Sequence, residues 1–272
     1  MSFKQLLQDH YETLTKSEKK IADYITTTNE KIIHSTMSEV KQETGVGDAT
    51  IIRFCQKLGF SGFTDLKIEI AKEDFTNKKK QNNSTFFYSD FATNLAHALK
   101  MTEKILDNHA LDTAINLLSS AKNIHIFGMG SSGNTANDLE SMFLRVGLQA
   151  NASIDPHLQA QIASLLTKED LVIGLSLSGK TKDTYGSLKI AKQNQATIIA
   201  ITNYLLSPIA QLADVVLQTT VDEFLDGGSI AGKMSQLYIC DLLIKGYEIK
   251  YNVDSLELRE KVLRSIIDKR LE

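Results

Sequence analysis

The sequence predicts an α/β protein in two parts: an all-α N-terminal domain with a helix-turn-helix, then a doubly wound α/β domain on a mainly parallel sheet of about five strands. Three observations carry this expectation. Two capping boxes and a glycine-stopped short helix occupy the first sixty residues. A polar, lysine-rich stretch interrupts the apolar pattern after residue 75. Beyond residue 120, short apolar runs alternate with helical stretches, and two of those runs end in Ser/Gly turns.

Composition bounds the rest. With 272 residues, 42% hydrophobic, the chain is long enough for one large or two smaller cores. Its formal net charge of -3 gives no general attraction to nucleic acid or to an anionic membrane, so any DNA contact has to come from a local surface. Residues 1 to 20 lack the apolar core of a signal peptide, and no run approaches the roughly 18 apolar residues that span a bilayer. Cys55 and Cys240 lie far apart within helical patterns, which reads as two buried thiols. A cytoplasmic location without membrane association is expected.

The first helix is expected over Leu14 to Thr28, opened by the capping box Thr15-x-x-Glu18 and continued by Ile21, Tyr24 and Ile25. A second box, Thr36-x-x-Glu39, starts a short helix with Met37 and Val40 inward, ending near Thr44-Gly45. A third helix, Ala49 to Leu58, closes at Gly59. On it Ala49, Ile52 and Cys55 are expected on the core face, widened by Ile51, Phe54 and Leu58. Thr50, Arg53, Gln56 and Lys57 then form the outward stripe that can reach base edges and phosphates. Residues 1 to 80 hold thirteen Lys or Arg against twelve Asp or Glu, so no strong basic footprint supports the motif.

Residues 76–88, with Lys78-Lys79-Lys80 among them, read as an interdomain linker between domains at 1–75 and 89–272. Helices follow through Phe91 to Ile105 and Leu111 to Leu118. Strands are expected at Ile124 to Phe127, Leu171 to Leu175, Thr197 to Ile201 and Val215 to Leu217, with a weaker one around Leu148 to Ile154. A long helix from about Ile230 to Ile249 is expected to pack against another subunit.

Two junctions stand out. Ile124 to Phe127 runs into Gly128-Met129-Gly130-Ser131-Ser132-Gly133, and Leu171 to Leu175 runs into Ser176-Leu177-Ser178-Gly179-Lys180-Thr181. A helix N-terminus leaves N–H groups unpaired and carries partial positive charge, so such junctions bind anions. The first satisfies the Gly-x-Gly-x-x-Gly spacing of dinucleotide folds but lacks the acidic residue at the end of the next strand. The second also spells a P-loop pattern through Gly174, Gly179, Lys180 and Thr181. A nucleotide loop would need a later strand ending in Asp to hold magnesium, and the following strands end in Thr202-Asn203 and Gln218-Thr219.

The run Thr50 to Phe63, with Leu14-Thr15-x-x-Glu18-x-x-Ile21-Ala22-x-x-Ile25, closely resembles the N-terminal domain of the RpiR family of bacterial transcription regulators. One departure is Gly47, where that family usually places Ser ahead of its recognition helix. The two Ser/Gly turns, Asp155-x-His157, Ala200-Ile201-Thr202-Asn203 and Ser207-Pro208-Ile209-Ala210 resemble the sugar isomerase (SIS) phosphosugar-binding domain, over about residues 90 to 250. This resemblance implies that Ser176, Ser178, Gly179 and Thr181 grip a phosphate while Ser131 and Ser132 contact the sugar end. Many SIS enzymes carry Glu directly after the second turn, where this chain has Lys180. Related regulators often have Arg near Lys233.

The expectation is therefore a DNA-binding regulator of carbohydrate metabolism that senses a sugar phosphate and binds double-stranded operator DNA as a homodimer or dimer of dimers. No catalytic residue, cofactor or metal is called for. The rival expectation is a sugar phosphate isomerase with an appended helical domain, for which Glu140, His157 and Glu223 are the available bases.

Overall fold

The computed structural model describes residues 3–28, 32–33, 35–81, 87–220 and 230–267. Their contacts divide them at Asp90 into a helical unit and an α/β unit. The helical unit contains α1 (Phe3–Tyr11), α2 (Lys16–Thr28), α3 (Met37–Thr44), α4 (Asp48–Lys57) and α5 (Phe63–Gln81).

Both capping boxes form. Thr15 Oγ1 accepts from the Glu18 N–H at 3.3 Å while Glu18 Oε2 accepts from the Thr15 N–H at 2.8 Å. Thr36 and Glu39 repeat the arrangement, and Gly45 ends α3 in the left-handed region. The helices pack Leu7, Ile21, Ile25, Val40, Ile51, Phe54 and Leu66 into one cluster. Each such side chain contributes roughly 1.5–3 kcal/mol of burial. Cys55 lies in the same cluster, and burial pushes its thiol up to about 12, leaving it inert.

Two features depart from expectation. α1 precedes the first expected helix. The segment read as a linker is not irregular throughout, since its first residues are the last turns of α5 and its final two open α6 (Phe87–Ile105). Lys, Gln and Asn need no apolar face to prolong a helix already begun.

In the α/β unit α7 (Asn108–Ser120) leads into β1 (Asn123–Gly128), α8 (Gly130–Leu144), β2 (Ala150–Ser153), α9 (Pro156–Leu165) and β3 (Asp170–Leu175). Then come α10 (Lys182–Gln193), β4 (Thr197–Thr202), α11 (Pro208–Leu212), β5 (Val215–Gln218), α12 (Ile230–Lys250) and α13 (Ser255–Ile266). All pairings are parallel, in the order β2-β1-β3-β4-β5.

Period two divides the strands between two cores. Ile124, Ile126, Leu171, Ile173, Ile199, Ile201 and Leu217 point to the face covered by α7, α8 and α12. Phe127, Val172, Ile198 and Ala200 point to the face covered by α9, α10 and α11. α12 buries Ile239, Cys240, Leu243 and Ile244 in the first of these cores and leaves Ile230, Met234 and Ile249 exposed.

Candidate functional site

The order reverses between β1 and β3, and their helices α8 and α10 leave to opposite faces. A crevice opens beyond the carboxyl ends of such a pair, because no crossover covers it. Both Ser/Gly turns flank this point.

The turn after β3 is tight and braced. Ser176 N still bonds to Ile201 O at 3.1 Å, and Gly179 N closes the turn on Ser176 O at 3.0 Å. Leu177 O accepts from Asn203 N at 3.0 Å and from Thr202 Oγ1 at 3.2 Å, while Gly179 O accepts from Ile209 N at 3.1 Å. Gly179 has φ +63°, and a Cβ there would lie 2.0 Å from Ser207 Oγ. The backbone must approach Ser207 this closely to turn.

On the open side of that turn the hydroxyls gather. Ser176 Oγ and Thr181 Oγ1 lie 3.0 Å apart, and the exposed Ser178 Oγ accepts from Lys180 N at 3.2 Å. Thr181 stands at the N-cap of α10 but makes no side-chain cap bond to the helix's leading N–H groups. Lys180 Nζ turns towards the Tyr204 ring, 5.9 Å from its centre. Gly174 lies inside β3, where a Cβ would meet Leu188 Cδ1 at 2.6 Å. It is the close-approach residue for α10, so the P-loop spelling does not describe a loop starting at Gly174.

The turn after β1 is shorter than its Gly-Ser wording suggested. α8 begins at Gly130, which places Ser131 and Ser132 in its first turn. Ser131 is exposed, whereas Ser132 is buried and its Oγ lies 3.2–3.3 Å from the amide of Gln236 on α12. A Cβ on Gly128 would sit 2.6 Å from Ser132 O, so the strand end is pressed against the helix start. Beneath it the fully buried Gln159 donates through Nε2 to Gly128 O at 3.1 Å and to Ser153 O at 2.8 Å. Farther along, Lys233 Nζ meets Asp138 on α8 at 3.0 Å.

Gln159 and Gln236 were given no role from the sequence, and Ser207 entered only within the Ser207-Pro208-Ile209-Ala210 phrase. Gln236 is 104 residues from its partner, a distance over which no spacing rule operates. Glu140 is not a free base, because its Oε1 accepts from the Ala152 N–H at 2.9 Å. His157 is exposed in the first turn of α9, capped by Asp155. Glu223 lies outside the described residues. Among the described residues no three His, Cys, Asp or Glu side chains gather as metal ligands. No helix of the described residues is long and apolar enough to cross a membrane.

In the helical unit, α4 is capped by Gly47 without a side-chain bond, and its core face is Ile51, Phe54, Cys55 and Leu58. Ala49 and Ile52 were expected inward and are exposed, alongside Arg53 and Gln56. The core side is centred between Ile51 and Phe54, which rotates the expected face by about one residue. Arg53 Nη2 donates to Thr50 Oγ1 at 3.1 Å. Lys57 is engaged elsewhere: Nζ bonds to Thr13 O at 2.6 Å and to Glu18 Oε2 at 3.0 Å. Burial raises the Glu18 carboxyl, but the bonds from Thr15 and Lys57 outweigh it and hold the group below its ordinary value.

Comparison with known proteins meets this geometry at both ends of the chain. Residues 1–77 match the family model of the rpiR-family helix-turn-helix domain, and residues 117–246 match the SIS domain. An uncharacterised HTH-type transcriptional regulator of Haemophilus influenzae is 36% identical, over 96% of this chain and 95% of its own. The HTH-type transcriptional regulator HexR of Escherichia coli is 29% identical, over 100% and 98%. Among solved structures, the NanR protein of Vibrio vulnificus complexed with ManNAc-6P superposes with a TM-score of 0.81 over 97% of this chain and 98% of that one, at 24% identity. At that identity the likeness concerns the fold.

Proposed function

The chain belongs to the rpiR family of helix-turn-helix transcription regulators with a SIS domain, and on that premise we propose that it senses a sugar phosphate and regulates carbohydrate genes accordingly. One observation carries the reading: two hydroxyl-bearing turns, each opening a helix without a side-chain cap bond, flank a single switch point in the sheet. A phosphate fits the turn after β3, where Ser176, Ser178, Thr181 and the first N–H groups of α10 supply donors around Gly179. The sugar end then faces the exposed Ser131 at the start of α8, with the Ser132 hydroxyl turned inward to Gln236. The V. vulnificus NanR complex with ManNAc-6P supports a phosphorylated sugar as the ligand class.

Sensing is preferred to isomerisation on the same geometry. Aldose-ketose exchange needs a base near the sugar carbons. The position after the turn is Lys180, and Glu140 is held by a backbone N–H. On the DNA side Thr50, Arg53 and Gln56 on α4 reach the major groove, and Lys57 braces α4 from within the unit. Ligand coupling requires that the sugar phosphate favour one arrangement of a two-fold dimer over another. The protein works in the cytoplasm, where sugar phosphates and operators are.

Gel shifts with the DNA upstream of the gene, titrated in salt with and without a panel of sugar phosphates, test this reading. The expected result is a specific shift altered by one sugar phosphate, which also raises the melting temperature. No specific shift at any salt concentration overturns the DNA part. Absence of any ligand response, or turnover of a sugar phosphate by the purified protein, overturns the sensor part.

A further inference from the structure

The inner and outer sides of α4 carry the same spacing. Ile51, Phe54, Cys55 and Leu58 recur at i, i+3, i+4 and i+7 and enter the core. Ala49, Ile52, Arg53 and Gln56 repeat that spacing two residues earlier, about 200° around the helix, and all four are exposed. The edges of this outer stripe are tied down. Asp48 pairs with Lys41 Nζ at 3.6 Å on one side, and Lys57 is bound to Glu18 and Thr13 O on the other. Arg53 Nη2 donates to Thr50 Oγ1 at 3.1 Å, on the flank opposite Ile52, which leaves the centre of the stripe to Ala49, Ile52 and Gln56.

A lone exposed isoleucine is ordinary on a protein surface. This one is 37% exposed on the stripe that the regulator reading turns to the major groove, with Ala49 three residues before it and Gln56 one turn on. An apolar side chain there cannot answer the donors and acceptors of the base edges. The C5-methyl of thymine is the one apolar group that the bases present in that groove, and a Gln side chain matches the N6 and N7 edge of adenine. We propose that Ile52, with Ala49 beside it, is a specificity-determining residue of α4, packing on the C5-methyl of a thymine in each operator half-site.

The inference rests on the DNA part of the functional reading. Its test starts from the operator that the full chain selects out of random-sequence duplexes. Each thymine of a half-site is then replaced in turn by uracil, which removes one methyl group and keeps every hydrogen-bonding group of the base. At one thymine the wild type is expected to lose about fourfold in affinity, the fold-change that burial of one methyl group gives. That ratio should not vary with salt, because a methyl contact releases no counterions. Ile52→Ala should bind the thymine operator more weakly at an unchanged melting temperature and no longer distinguish uracil from thymine at that position. Ile52→Val, which keeps both branches at Cβ, should still distinguish them. The proposal is overturned if uracil costs the wild type nothing at any thymine, if Ile52→Ala keeps the full uracil effect, or if Ile52→Ala binds the operator as tightly as wild type. A selected operator without the methyl effect defeats this proposal alone, whereas failure to select any operator defeats the regulator reading itself.

Discussion

The turns after β1 and β3 share a plan, a parallel strand feeding a helix through Ser and Gly, but they use their hydroxyls differently. After β3, Ser178 is exposed and Thr181 half-buried beside the buried Ser176 hydroxyl, while Leu177 and Gly179 hold the turn from behind through backbone bonds to β4 and α11. After β1, the Ser132 hydroxyl is turned inward and paired with Gln236, and the strand end is held by Gln159. One turn presents donors and the other braces a wall. The same division recurs on α4, where Arg53 is exposed and Lys57 is bound to Glu18.

The largest effect is expected from Gly179→Ala. Its φ of +63° and the 2.0 Å approach to Ser207 Oγ combine backbone strain with overlap, costing about 3 kcal/mol or more. Calorimetry should show the α/β unit melting earlier, and sugar phosphate binding should be lost. A tolerated Ala would mean that the turn is not braced as described. Next, Ser132→Ala leaves the buried Gln236 amide without its partner, at about 2 kcal/mol of stability. Calorimetry should register that loss while ligand affinity changes little.

Ser178→Ala reverses the pattern. Stability should hold within about 0.5 kcal/mol, whereas calorimetric titration should find sugar phosphate affinity reduced about tenfold. If Ser132→Ala cost more affinity than Ser178→Ala, the roles of the two turns would be exchanged. On α4, Arg53→Ala should weaken operator binding about tenfold at fixed salt and leave the melting temperature unchanged.

The smallest effect is a pH dependence of the helical unit. Glu18 has its folded pKa below the ordinary 4.5, so its stabilisation is present above that value and fades as pH falls through the folded pKa. The pair is partly exposed, so the loss should stay under about 1 kcal/mol. Lys57→Met should remove much of this acid sensitivity in thermal melts taken from pH 6 down to pH 3.

Much of this was legible in advance wherever one residue type carried one physical signal. Apolar runs located all five strands, the weakest with loose ends, because a strand covered on both faces must be apolar throughout. Thr15, Glu18, Thr36 and Glu39 located two helix starts, since a capping box is a local bond. α13 gave less warning, because its apolar residues are separated by charges and Leu256 and Leu263 stay exposed. On α4, Ala49 and Ile52 looked like core because they are apolar, yet only three-dimensional packing decides which of two overlapping stripes turns inward. Gln159 and Gln236 carried no signal: a buried amide is recognised by the carbonyls and hydroxyls it meets, and those lie in other parts of the chain.

The space beside Gly179 has a genetic counterpart. Glycine codons all begin GG, and any amino-acid replacement at this one brings a Cβ into the place held by Ser207. Codon 179 should therefore accept synonymous changes only, while codon 180, whose backbone already carries a side chain, tolerates amino-acid replacement. Selection at these two neighbouring codons would differ sharply in a saturation library grown under demand for the regulator, and the boundary between them would mark where backbone geometry gives way to side-chain choice.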